Sequence, residues 1–334
     1  FSKEVRDDTF QVAQNDLAVS GPEGPLAPTL TRVAGDRYRV DLSGTGLATY
    51  RLTIGPDILG VDDGLAMNQD RNATPGESSD AYSAKLVAGG AAIAADDASW
   101  DKLALVVYGN TVTIQGHHPF RDVDVLAAGN VSAGEPGVQV DNLRLDGAST
   151  FALAGGSTLR ATGQITLADN STLRVQGKNT AGLAGGVWAG VGGTIDAAGV
   201  TVDAGSQITA DGQGYASVVR DAGTGPGGAV SGPSYGGKGS GGWATYGSAL
   251  APTDLGSAGC LAYWGGWAAG GGALRLDVAG TLTLNGEISA DATAGGDSDR
   301  GYGATGGSIY VTTGVLTGSG KFTADGYANG NAQG

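Results

Sequence analysis

The fold is decided by GGTIDAAGVTVDAGSQITADG (192–212), GGALRLDVAGTLTLNGEISADA (271–292) and GGSIYVTTGVLTGSGKFTADG (306–326), which repeat one pattern. STLRATGQITLADNSTLRVQG (157–177) follows the same pattern less closely. Each stretch begins with GG or ST and continues through short β-branched runs of alternating polarity. Most of them end at or near Ala-Asp-Gly. Short strands with turns at a fixed spacing are typical of a solenoid. We therefore predict an all-β chain whose C-terminal part is a parallel β-helix.

The composition sets what kind of core this chain can build. Glycine supplies 63 of the 334 residues, far above the usual share of roughly 7%. Hydrophobic residues make up 40%, yet only 5 Phe, 5 Trp and 1 Met are present. The core must therefore consist of Val, Leu, Ile and Ala in thin layers, which stacked coils allow. We expect Ile195, Leu276 and Ile309 to point inward on coil strands.

Charge and cysteine content exclude several classes of protein. The formal net charge is −14, and nucleic-acid partners need Lys and Arg for their phosphates, so we expect no nucleic acid. Cys260 is the only cysteine, which excludes an intrachain disulfide and a cysteine-based metal site. No run reaches the roughly 18 apolar residues of a membrane span.

The sequence pattern of the first ninety residues differs from that of the repeats. Strand-like runs are separated by Asp, Gly, Pro and Asn, which predicts a small antiparallel sandwich. FSKEVRDDTFQVAQNDLAVSGPEG (1–24), ATYRLTIGPDI (48–58) and AMNQDRNATPGESSDAYSAKL (66–86) occur in order. Together they resemble the Ig-like module found in tandem in large bacterial cell-surface proteins. In that family a further strand precedes the one that begins here. The resemblance thus implies an incomplete module, whose missing strand comes from a longer chain or a neighbour.

The rest of the chain is similar to Gly-rich β-helices from the same kind of surface protein. DKLALVVYGNTVTIQGHHPFRDVDVLAAGNVS (101–132) is similar to their opening turn, and GPSYGGKGSGG (232–242) to one of their recurring blocks. This resemblance implies a right-handed β-helix and a cell-surface setting, without a shared enzymatic activity. We predict an Ig-like sandwich over residues 1–92 and a β-helix over 93–334. A loop-rich insertion at about 212–272 interrupts the β-helix.

One loop has the oxygen-rich spacing of a calcium site. Asn68, Asp70, Asn72 and Glu77 place oxygen groups at intervals, with Asp80 beyond, and calcium prefers such ligands. The resembling family usually has Asp where Asn68 and Asn72 stand, so two charges are lost here. The alternative is a hairpin built on Asx turns, which needs no ion.

The Gly-rich insertion carries most of the large aromatic side chains of the chain. Tyr235, Trp243, Tyr246, Trp264 and Trp267 lie within it. Exposed Trp and Tyr commonly contact sugars or partner proteins. The same rings could instead fill gaps beneath the glycine-rich loops, and the sequence leaves both interpretations open.

Catalytic candidates have structural interpretations as well. Asp211, Asp291 and Asp325 end successive repeats and could stack in a line, whereas a lyase or glycosidase needs a carboxylate cluster in a groove. Acids that recur with the repeat indicate turn formation. His117 and His118 are adjacent on a strand and face opposite sides, so a structural role is favoured over a shared metal. We predict no catalytic residues.

These observations favour a non-enzymatic extracellular protein, either a fragment or a subunit of a surface rod or fibre. Its expected partners are copies of itself or the remainder of a longer surface chain, and glycans as a further class. Its expected location is extracellular or on a bacterial cell surface, with no cofactor other than the calcium considered above. The alternative is a carbohydrate-binding or polysaccharide-degrading β-helix, which a groove with clustered Trp, Tyr and acids would favour.

Overall fold

The computed structural model describes residues 1, 3–14, 16–42, 46–69, 72–218, 220, 222–230, 232–241, 243–260, 267–295 and 303–327. The predicted Asp70 and Trp264 lie outside this part of the chain. Within it, helical structure is confined to four short 3-10 turns at Asp7–Thr9, Val12–Gln14, Ser78–Asp80 and Ala98–Trp100. The all-β class predicted from the repeats is thereby confirmed. Across the same residues, no helix has the length and apolar composition to cross a bilayer.

Two long sheets dominate the molecule. The first contains β1 (Leu17–Gly21), β2 (Gly24–Leu26), β5 (Thr49–Ile54), β6 (Tyr82–Val87), β8 (Ala104–Tyr108), β10 (Asp122–Leu126), β12 (Gly137–Val140), β13 (Asn142–Leu145), β15 (Thr158–Leu167), β17 (Gly193–Val202), β20 (Ala273–Leu284) and β23 (Ser308–Thr317). The second contains β7 (Ala91–Ile93), β9 (Thr111–Ile114), β11 (Asn130–Ala133), β14 (Thr150–Leu153), β16 (Thr172–Val175), β18 (Gln207–Thr209), β21 (Glu287–Ser289) and β24 (Lys321–Thr323). The hairpin of β3 (Thr29–Ala34) and β4 (Arg37–Asp41) forms a small sheet, and β19 (Trp267–Ala269) pairs antiparallel with β22 (Thr293–Gly295) in another.

From β6 the chain alternates between the two sheets, except that β12 and β13 are consecutive and both belong to the first. From β6 to β23 the neighbours in the first sheet are parallel, and all pairs in the second sheet are parallel. This is the arrangement of a parallel solenoid. β15, β17, β20 and β23 are long because each turns a corner, where the pairing register shifts.

The core lies between the two sheets and follows the period-2 alternation of the strands. Along β17 the inward side chains, such as Ile195 and Val202, have no exposed surface, and Leu276 of β20 is equally buried. Ile195 pairs with Leu276. Ile309 pairs with Leu274 rather than Leu276 and packs at the margin of the core. The inward orientation of the three predicted positions is therefore observed, with a two-residue offset at the last coil.

Apart from the β3–β4 pair, the N-terminal strands belong to the first long sheet. β1, β2, β5 and β6 are antiparallel to one another, and β6 then pairs in parallel with β8 of the solenoid. β7 crosses the predicted boundary between residues 92 and 93 and already belongs to the second sheet. The predicted division thus falls inside a continuous structure. The physical reason is that a solenoid end exposes an unpaired strand edge, and antiparallel strands on that edge cap it.

A second hydrophobic cluster fills this cap. Val5, Phe10, Leu17 and Tyr50 are buried there, and Tyr38 of the β3–β4 hairpin packs against them. The hairpin therefore covers one face of the antiparallel strands, as a small sandwich requires. The Ig-like identity of this region stays an interpretation of its motifs, and so does the missing strand.

The segment predicted as a loop-rich insertion at about 212–272, called the Gly-rich insertion below, packs its backbone directly against coil backbone. Gly271 donates a hydrogen bond from its N–H to the carbonyl of Thr305, 2.9 Å away, and its own carbonyl accepts one from Gly256 at 2.8 Å. A Cβ added to Gly271 would lie 1.8 Å from the carbonyl oxygen of Ala290. At Gly307 the same atom would lie 1.9 Å from the carbonyl oxygen of Gly272. Only glycine permits this approach, which explains its abundance where the insertion meets the coils.

Candidate functional site

Of the two tyrosines in the predicted contact set, Tyr235 links the Gly-rich insertion to the solenoid, and Tyr246 bonds within the insertion. The rings of Tyr235 and Tyr246 lie with their centroids 4.8 Å apart. Tyr235 is buried, and its hydroxyl bonds to Ser308 at the start of β23. The Tyr246 hydroxyl donates to the carbonyl of Leu255 at 2.6 Å. Burial raises the pKa of Tyr246 and Tyr235, so both phenols remain protonated donors. These two side chains have a packing role.

The tryptophans of the same set face outward. Trp243 is 55% exposed and Trp267, on β19, is 43% exposed. Large aromatic rings exposed to this extent are available to a partner. The structure therefore brings Tyr235 and Tyr246 together inside the insertion and leaves Trp243 and Trp267 exposed on the surface. Sequence spacing alone did not reveal this division.

The loop predicted to bind calcium bonds largely to itself. Asn68 donates from Nδ2 to the carbonyl of Asn72 at 2.8 Å, and Asn72 donates from Nδ2 to Glu77 Oε2 at 2.7 Å. The buried Asp80 accepts the N–H of Glu77 at 3.1 Å, which caps the 3-10 turn that follows. Asn72 Oδ1 accepts the N–H of Thr74 at 2.6 Å, as an Asx turn does. Among the described residues, no group of three or more His, Cys, Asp or Glu is placed to hold a metal ion.

Chelation distinguishes the calcium site from the plain hairpin. Because the amides and Glu77 bond to one another, we expect EDTA to leave the thermal unfolding temperature unchanged. An ion that binds only the folded state at about a hundredfold above its dissociation constant stabilises it by about 2.7 kcal/mol. A fall of about 5 °C or more on adding EDTA, restored by excess calcium, would establish the calcium site instead.

The predicted line of aspartates is present across three coils. Asp211 Oδ1 accepts the N–H of Asp291 at 2.7 Å, and Asp291 Oδ1 accepts the N–H of Asp325 at 2.6 Å. Asp291 Oδ2 also accepts the hydroxyl of Thr323 at 2.9 Å. Each of these two carboxylates thus bonds the backbone of the next coil and holds adjacent turns together. This use of the acids supports the structural interpretation over a catalytic one.

The two histidines face opposite ways, as their adjacency predicts. His117 is exposed and His118 is buried. His118 Nδ1 lies 2.8 Å from Asp101 Oδ1, and its Nε2 lies 3.0 Å from the carbonyl oxygen of Ala94. His118 therefore ties the first coils together from inside the fold.

Asp124 on β10 is a carboxylate with a perturbed environment. Burial raises its pKa to about 6, and the neighbouring Asp122 charge adds to the effect, whereas Arg144 opposes it. An aspartate whose pKa rises on folding favours the folded state below about pH 4. This contribution is lost as the pH rises through about 6, because the buried carboxylate then ionises.

Asp124→Asn removes that ionisation. We expect the variant to gain stability relative to wild type by about 1–2 kcal/mol between about pH 4 and pH 7. Urea unfolding at the two pH values measures this difference, with Asp62→Asn at an exposed turn as the matched control. A difference between Asp124→Asn and wild type that is independent of pH would contradict the assignment.

The last coil has an apolar margin. Leu316 of β23 pairs with Leu282 of β20, which is fully buried, yet Leu316 is 55% exposed. Val315 and Phe322 are exposed beside it. β23 and β24 end the strand orders of their sheets. We call the outer edges of these two strands the terminal edge.

Comparison of this chain with family models, curated proteins and solved structures finds no match. The similarity to bacterial surface modules therefore stays an interpretation of the motifs. Among the described residues, the terminal edge and the exposed tryptophans are surfaces open to a partner.

Proposed function

We propose that this chain is a non-enzymatic structural element of an extracellular rod or fibre and assembles through its terminal edge. The exposure of Leu316 carries this proposal. In the interior coils the equivalent position is covered from both sides, and here only β20 covers it among the described strands. Fully burying a leucine stabilises a contact by about 1.5–3 kcal/mol. Covering this edge would therefore contribute substantially to association.

The chemistry of β23 also favours pairing with another strand. Its ten residues, SIYVTTGVLT, contain no charged side chain and no proline. Natural edge strands that stay unpaired usually carry charges, proline or bulges that block a further strand. At the opposite end of the first sheet, β2 is only three residues long and contains Pro25. The two ends of the sheet therefore differ in how readily they accept a partner.

The partner we propose is a second copy of this chain or the following part of a longer surface chain. The exposed Trp243 and Trp267 would add contact area beside the coils. An Ig-like N-terminal module, a right-handed coil and an extracellular or cell-surface location belong to the same proposal. Its support is the parallel sheet architecture together with the motifs quoted above.

Substitution of Leu316 by Lys tests assembly through the terminal edge. We expect wild type to associate with rising concentration in sedimentation velocity, and Leu316→Lys to weaken the association at least about tenfold, or about 1.4 kcal/mol. Lysine at an edge places a charge where the incoming strand would lie. Leu250→Lys is the control, because Leu250 is already exposed in the Gly-rich insertion.

Two outcomes decide between the proposed partners. A wild-type chain that stays monomeric at all concentrations would overturn self-assembly. Mass spectrometry of intact source material would then show whether a longer chain supplies the covering strand. Association that Leu316→Lys leaves unchanged would exclude the terminal edge as the contact.

A further inference from the structure

The repeats that start with Gly-Gly stack on one another through the same backbone bonds. Gly272, the second glycine of its repeat, donates its N–H to the carbonyl of Ala210 in the preceding repeat, at 2.7 Å. Gly307 donates in the same way to the carbonyl of Ala290, at 2.8 Å. Both acceptors belong to the Ala-Asp pair that closes the preceding repeat. The register at this corner of the solenoid is therefore the same in both interfaces.

The alanines of these pairs also donate to the next repeat. The N–H of Ala210 bonds to the carbonyl of Ser289 at 2.8 Å, and the N–H of Ala290 bonds to the carbonyl of Thr323 at 2.9 Å. Each alanine thus uses both of its backbone groups on the repeat that follows it, and each is fully buried there. The aspartate that follows each alanine adds a third bond, which forms the aspartate line described above.

Ala324 and Asp325 occupy the equivalent positions in the repeat of residues 306–326. Unlike the two interior alanines, Ala324 is exposed. Among the hydrogen bonds of the described residues, none joins the N–H or the carbonyl of Ala324, and none ends on the Asp325 carboxylate. Three groups that hold the next repeat in the interior are therefore open here.

A groove of about 490 Å³ lies at this corner, and we call it the corner groove. Gly306, Gly307 and Ala324 line it from the coil, and Tyr235 and Lys238 line it from the Gly-rich insertion. More than half of its lining residues are glycine. A lining of this kind lets another backbone approach the coil backbone closely.

The register decides which residue an incoming strand must carry. A Cβ added to Gly307 would lie 1.9 Å from the carbonyl oxygen of Gly272, and one added to Gly272 would lie 2.8 Å from that of Ala210. An incoming strand in the same register meets the carbonyls of Gly307 and Ala324 in this way. It therefore needs glycine at the position that bonds to Ala324.

We infer that the corner groove receives the Gly-Gly start of a further repeat, whose strand then pairs in parallel with β23. This inference rests on the proposed assembly through the terminal edge and names its partner. The Gly-Gly starts at 192, 271 and 306 are packed within the coils of the chain itself. Of the two partners proposed above, the groove thus fits a further repeat of a longer chain. In strand addition of this kind, main-chain bonds provide the affinity and the side-chain positions provide the selectivity.

A fusion protein that carries residues 306–326 behind a soluble carrier and a flexible linker is the probe for this inference. The matched probe has alanine in place of its second glycine, as in Gly307→Ala, and the carrier alone is the blank. We expect the Gly-Gly probe to bind the immobilised full chain, and the alanine probe to bind at least about tenfold more weakly, or about 1.4 kcal/mol.

Asp325→Ala in the immobilised chain removes the carboxylate that would accept an N–H of the incoming repeat. We expect this variant to bind the Gly-Gly probe more weakly than wild type. Asp62→Ala, at an exposed turn of the N-terminal region, should leave binding unchanged. If Asp325→Ala does not fold by circular dichroism, the comparison of the two probes on the wild-type chain decides.

The outcomes separate this inference from the proposed function. Equal binding of the two probes, or no binding by a chain whose association Leu316→Lys still weakens, would overturn the groove and leave assembly through the terminal edge intact. Full retention of binding in a folded Asp325→Ala variant would overturn the register described here. A chain that neither associates with itself nor binds the Gly-Gly probe would overturn both.

Discussion

Gly271→Ala is expected to lower the free energy of unfolding by about 3 kcal/mol. The added Cβ would lie 1.8 Å from the carbonyl oxygen of Ala290 and 2.4 Å from the amide nitrogen of Gly307. Both neighbours are backbone atoms of stacked coils, so neither can rotate away as a side chain would. The insertion has to move off the solenoid, and the hydrogen bonds that Gly271 makes with Thr305 and Gly256 are strained with it.

Gly236→Ala is the matched control for Gly271→Ala. Gly236 also lies in the Gly-rich insertion, and a Cβ there would meet no atom within 4 Å. Both substitutions reduce the entropy of the unfolded chain equally, by about 0.4–1 kcal/mol. Urea unfolding should therefore show Gly236→Ala as neutral or slightly stabilising and Gly271→Ala as strongly destabilising. Equal stability of the two variants would show that the insertion does not pack on the coils as described.

The solenoid could be predicted because its determinants are local. Alternation along each strand fixes which side chains turn inward, and the repeat places Ile195 and Leu276 on neighbouring strands. The aspartate line follows from the same repeat, since equivalent turns stack. The pairing of Ile309 with Leu274 was not predictable. It depends on where each long strand turns its corner, which the repeat boundaries do not reveal.

The capped N-terminal end could not be predicted from its motifs. The strand runs of the first ninety residues indicated antiparallel pairing, which β1, β2, β5 and β6 show. Their attachment to the solenoid depends on a pairing between β6 and β8 that no local pattern encodes. A sequence motif indicates the structure of its own residues only. A β-sheet can extend beyond them, because its edge strand can pair with a strand from another part of the chain. The predicted boundary at residues 92 and 93 lies within β7, which pairs in the second sheet.

The candidate sites could be predicted only where residues with suitable side-chain chemistry lie close together in the sequence. The loop of Asn68, Asn72 and Glu77 was recognisable from its oxygen groups, yet its amide donors bond inside the loop. The aromatic residues were recognisable as a group, but their division into packed tyrosines and exposed tryptophans depends on the folded structure.

Phe151→Ala is expected to have the largest effect of any single change considered, a loss of about 4 kcal/mol in the free energy of unfolding. Phe151 is fully buried in β14, where it pairs in register with Val131 of β11 on one side and Leu173 of β16 on the other. The vacated space lies between complete coils on both sides, so the stack cannot collapse into it. Because coil contacts are made between nearest neighbours, the loss weakens both adjoining interfaces.

Phe322→Ala is the matched control, and it also bears on assembly. Phe322 lies in β24 of the same sheet, pairs with Ile288 on one side only, and is 41% exposed. In dilute solution its removal should cost no more than about 1 kcal/mol, since little packed surface is lost. At concentrations where the chain associates, the same variant should weaken association, because the terminal edge loses an apolar ring. Equal destabilisation by Phe151→Ala and Phe322→Ala in dilute monomer would mean that the last coil is already covered, and assembly through the terminal edge would then be wrong.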